Sequence, residues 1–97
     1  KKYLRTLTII ALKQPIMQSL LVKIRGSGAY EHVSYLEENA LIEREKKGRS
    51  YELMTTDKYA EMFGLPKDRQ EMKRQMIAQL GINEDEVGQE PDDDEDE

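Results

Sequence analysis

At 97 residues the chain has room for a single hydrophobic core. It has no cysteine and one histidine, His32, which excludes a disulfide framework, a thiolate metal site and any site needing two imidazoles. The net charge of −5 conceals a division: residues 1–83 hold all 15 basic and ten of the 20 acidic residues, a net of +5, and everything charged from Glu84 onward is acidic. Apolar runs are too short to span a bilayer, and the start lacks the pattern of a signal peptide. A cytoplasmic location follows as the expectation, and a chain opening on Lys1 rather than Met reads as a segment of a longer protein.

Residues 3–14, YLRTLTIIALKQ, set Leu4, Leu7, Ile10 and Ala11 at helical spacing, and Pro15 ends that pattern. Residues 16–25 predict a second helix with Ile16, Leu20 and Ile24 as its apolar stripe and Met17 and Leu21 beside them. GSG at 26–28 makes the turn, and 29–40 carry a third stripe of Ala29, Val33, Leu36 and Ala40. Two helices across a short Gly turn form a helix-turn-helix. LIEREK, a turn at Gly48 and SYELMT then predict a hairpin, with Tyr51 and Leu53 on one face. The fold expected is mainly α with a small β-hairpin, a winged helix with additional C-terminal helices.

The first of those additions is short. Thr55 or Thr56 caps it, Tyr59, Met62 and Phe63 form its apolar side, and Gly64-Leu65-Pro66 stops it. Residues 67–80 predict a last helix with Met72, Met76, Ile77 and Leu80 on one side. From Glu84 the chain has too little apolar content to offset its ordering entropy, so the division expected is a domain over 1–83 and a disordered acidic tail over 84–97.

Several strings, TLTIIALKQPI at 6–16, IRG at 24–26, LEENALI at 36–42 and GRSYELMTTDKYAEMFGL at 48–65, make the chain resemble a known family. That family is segregation and condensation protein B (ScpB), and the likeness is to its C-terminal winged-helix domain. Ser50 and Leu53 stand where the family usually has Pro and Tyr, and Leu12 where it usually has Tyr. The resemblance implies a non-enzymatic subunit that binds the kleisin ScpA and, through the complex, the SMC ATPase in chromosome segregation and condensation. It also implies a chromosome-associated protein. The full-length protein would be a homodimer, chiefly through a first domain that this chain lacks, and the fragment alone a monomer.

Candidate sites follow from what each stripe leaves over. The first helix is apolar on more than one side, so Leu4, Ile9 and Leu12 are candidates for a partner surface. Met72, Met76 and Ile77 either cover the core or join a groove for a kleisin helix. The third helix is poorly suited to DNA: no Lys or Arg occurs from Gly26 through Glu43, where Glu31, Glu37, Glu38 and Glu43 do. Arg44, Lys46, Lys47 and Arg49 gather around the wing turn, either as an edge-protecting charge cluster or as contacts for duplex DNA or an acidic peptide. A DNA-binding regulator using this basic wing is therefore the alternative function. His32 reads as an ordinary surface histidine. No catalytic, cofactor or metal constellation is present in the sequence.

Overall fold

A computed structural model describes residues 2–81. The acidic segment from residue 84 and the side chain of Leu80 lie outside the described residues. The order is α1 (Lys2–Lys13), β1 (Ile16–Met17), α2 (Gln18–Arg25), α3 (Ala29–Glu38), β2 (Ile42–Lys47), β3 (Ser50–Thr55), α4 (Asp57–Phe63) and α5 (Arg69–Leu80). Three helices and an antiparallel sheet of order β1-β3-β2 make a winged helix, to which α4 and α5 are appended.

The centre is α1. Thr6, Leu7, Ile9, Ile10, Ala11 and Leu12 are all buried, because α3, β3 and α5 close on different sides of this one helix. Its apolar excess is thus consumed internally except at Leu4, which is 52% exposed. Beyond it, the Gln14-Pro15 peptide bond is cis and the chain turns directly into β1, where Ile16 pairs with Leu53. Ile16 is a strand residue, so the stripe expected for residues 16–25 is corrected: α2 begins at Gln18 and buries Leu21 and Arg25, while Leu20 is 46% exposed. Of the two adjacent leucines expected on the apolar side, Leu21 is inward and Leu20 is not, because the helical period starts at Gln18 and not at Ile16.

The third stripe is borne out at Ala29, Val33 and Leu36 and fails at Ala40. Ala40 lies past α3 with φ 60°, and the Leu41 amide reaches back to the Leu36 carbonyl at 3.0 Å. That closure usually uses glycine, and an alanine there carries a Cβ penalty. His32 is also corrected. It is buried between the stripe positions, with Nδ1 2.7 Å from Thr6 Oγ1.

The hairpin is in the expected register, Lys47 opposite Ser50, with Gly48 at φ 62° in the first of two turn positions. That is the site where a type II′ turn needs a residue without Cβ. At the other end of β3, Thr55 enters the core. Its amide and hydroxyl both donate to Gln14 Oε1 at 3.0 Å, while Gln14 Nε2 donates to the Ala11 carbonyl at 3.0 Å and faces Met72 Sδ at 3.4 Å. One buried amide thereby ties the end of α1, the end of β3 and α5 together.

Candidate protein-binding site

Placement of α4 starts with Thr56. Its hydroxyl accepts from the Tyr59 amide at 3.3 Å, capping the helix, and donates to the Ala40 carbonyl at 2.6 Å. Thr56, not Thr55, is therefore the cap. At the far end Gly64 is left-handed, and the Leu65 amide bonds the Ala60 carbonyl at 2.8 Å. This closure folds Leu65 back beside α4. Asp68 caps α5 through the Gln70 amide at 2.9 Å.

Between α1, α4 and α5 these caps leave an apolar groove of about 170 Å³. Leu7, Tyr59 and Met76 are its buried floor, Leu4 and Phe63 its open rim at 52% and 47% exposure. Thr8 and Gln79 provide polar groups at its edge. The Tyr59 and Phe63 rings meet at 4.9 Å, and the Tyr59 hydroxyl faces Met76 Sδ at 3.9 Å. Burial pushes the Tyr59 phenol up to about 12. A cavity of about 150 Å³ holds one benzene, so the groove is sized for one ring or branched aliphatic side chain.

The candidate residues separate in this geometry. Leu4 and Met76 come together in the groove. Ile9, Leu12 and Met72 do not: at 3% exposure or less they are core, and a partner surface made of them is corrected. Ile77 is partly buried against the core and does not line the groove. Phe63 is the rim residue that sequence periodicity misread, having assigned it to the packed side of its helix together with Met62, which is 61% exposed. A seven-residue helix needs few inward positions, and Tyr59 with Ala60 fills them.

The wing gathers its cations differently. Arg44 Nε donates to Glu37 at 3.0 Å and its guanidinium lies 4.7 Å from the centre of the Tyr51 ring. Lys46 approaches the same ring at 5.5 Å. Both cations are engaged within the domain, while Lys47 and Arg49 are exposed at the tip. A wider polar cleft beside the start of α4 is lined by Asp57, Lys58, Lys67, Asp68 and Arg69. Charges of both signs alternate there, Lys58 Nζ donates to the Asn39 carbonyl at 3.0 Å, and Lys67 pairs with Glu61 at 3.1 Å, which raises the Lys67 ammonium. That mixture selects no ligand charge. Among the described residues, no three His, Cys, Asp or Glu side chains converge in a way that could hold a metal. No described helix is long and apolar enough to cross a membrane.

Fold and surface together define a winged-helix domain whose two appended helices build an apolar groove against its first helix. Residues 1–75 match the family described as segregation and condensation complex subunit ScpB, and the chain belongs to that family. It is 41% identical over 66 residues to segregation and condensation protein B of Carboxydothermus hydrogenoformans, an alignment covering 64% of this chain and 36% of the relative. The chain thus spans about a third of that relative's length.

Proposed function

We propose that this domain is a non-enzymatic part of a segregation and condensation complex and grips a helical segment of the kleisin ScpA in the groove between α1, α4 and α5. The observation that carries this reading is the groove: a floor of Leu7, Tyr59 and Met76 under an exposed rim of Leu4 and Phe63. An amphipathic helix docks by setting apolar anchors into such a cleft. One bulky side chain fits, with neighbouring turns covering Leu4 and Phe63. In this reading the protein is cytoplasmic and chromosome-associated, meets the SMC ATPase through the complex, and forms a homodimer through parts of the longer protein, with the isolated domain a monomer.

The rival reading is duplex binding by the wing, supported by the exposure of Lys47 and Arg49. It has less to work with than four clustered cations suggest, because Arg44 and Lys46 are held on Tyr51 and Glu37. Calorimetric titration with the central kleisin segment at physiological salt, with and without excess duplex DNA, distinguishes the two. Micromolar or tighter binding, unaffected by DNA and lost in Phe63→Ala or Leu4→Ser, is the expected result. Binding of DNA alone, lost on neutralising Lys47 and Arg49, would move the function to the wing.

A further inference from the structure

The outer side of α3 carries Glu31, Tyr35 and Glu38 at i, i+4 and i+7, which sets one aromatic ring between two carboxylates on a single stripe about 10 Å long. All three are exposed, Tyr35 by 44%, and Tyr30, 55% exposed, stands beside them. Neither Glu31 nor Glu38 joins an ion pair among the described residues, whereas Glu37, on the side facing β2, is taken by Arg44. α3 itself carries no Lys or Arg, none occurring from Gly26 through Glu43.

The ring is fixed from behind. Tyr35 stacks on Tyr3 with centroids 4.1 Å apart and planes 20° from parallel, and Tyr3 in turn meets the His32 ring edge-on at 5.0 Å. His32 is buried against Thr6, whose hydroxyl also accepts from Arg25 Nε at 3.3 Å. An exposed aromatic backed by a buried polar network loses little freedom on binding, which favours it as an anchor. Exposed large aromatics are also the residue type enriched at protein interfaces.

We propose that this face of α3 docks a basic segment of a protein partner, with an Arg or Lys side chain against the Tyr35 ring and its charge between Glu31 and Glu38. The ring quadrupole attracts the cation, and the carboxylates accept its N–H groups. The same carboxylates repel phosphate, so nucleic acid and anionic lipid do not fit. The surface shares no residue with the apolar groove, and the inference stands whether or not that groove takes a kleisin segment.

The test is a titration of the whole isotope-labelled chain with a short synthetic peptide of alternating Arg and Ala, read by amide chemical shifts. Saturable shifts at residues 30–38 are expected. Glu31→Gln with Glu38→Gln, and separately Tyr35→Leu, should each weaken binding at those amides about five-fold, as loss of exposed ion pairs or a cation–π contact implies. These exposed substitutions should leave the far-ultraviolet circular dichroism, which reads the backbone, unchanged. Shifts confined to residues 84–97, or an affinity at residues 30–38 that the double variant does not alter, would overturn the proposal.

Discussion

β3 has the wing at one end and the α4–α5 extension at the other, and the two are built by opposite means. The wing buries almost nothing: Ile42 is the sole fully buried residue of β2, and the rest is ladder, a tyrosine flanked by cations, and one ion pair. The extension is tied in by buried groups, Gln14 to Thr55, Met72 under Gln14, and Tyr59 over Met76. Exposed ion pairs contribute little and buried polar nodes a great deal when one member is removed. The difference teaches that the charged end can change cheaply, and that the apolar rim at the other end is exposed in spite of a well-fixed scaffold beneath it.

Five variants and one pH profile bear on that contrast. Gln14→Ala has the largest expected effect, about 2–3 kcal/mol of stability, because the Thr55 amide and hydroxyl lose their acceptor inside the core. A loss below 1 kcal/mol in urea unfolding would mean that the extension is not anchored as argued. Next comes Tyr59. Its phenol is raised in the folded protein to about 12 against 10 when unfolded, so its contribution is complete below pH 10 and is lost as pH rises towards 12. Unfolding followed across that window should show the decline, and Tyr59→Phe should flatten it.

Thr56→Ala should cost about 1 kcal/mol, through the lost α4 cap and the lost bond to the Ala40 carbonyl. Its signature in hydrogen exchange is faster opening of α4 with α1 unaffected. In the opposite sense, Ala40→Gly should stabilise by up to about 1 kcal/mol in thermal unfolding, since φ 60° suits glycine better than alanine. Replacing Lys47 and Arg49 together with Ser should change stability by no more than about 0.5 kcal/mol. If that pair cost as much as Thr56, the wing tip would have a packing role that its exposure does not suggest.

Much of the fold is legible in the sequence where local chemistry suffices. Gly48 between two alternating runs, Gly64 before Pro66 and a threonine before Asp57 each dictate a turn, stop or cap from adjacent residues alone. The site was legible only in part. The apolar stripes point to Leu4 and Met76, yet equally to Ile9, Leu12 and Met72, which are core. A helix apolar on two sides is either a partner surface or a central helix, and periodicity gives the same signal for both. His32 has a polar side chain that suggests surface, yet its place among Ala29, Val33 and Leu36 in the helical period turns it inward.

What the sequence by itself determined, then, is the order of the helices and of the wing hairpin and the division of charge, because turns, caps and periods act over a few residues. β1, whose two residues become a strand only by pairing with β3, is set by the tertiary fold. Tertiary structure decided which apolar faces survive. Whether Leu12 is surface or core depends on α3, β3 and α5 closing around α1, and whether Phe63 is rim or packing depends on how little of a seven-residue helix the core has to cover. Burial is a property of what arrives from elsewhere in the chain, and no window on the sequence contains it.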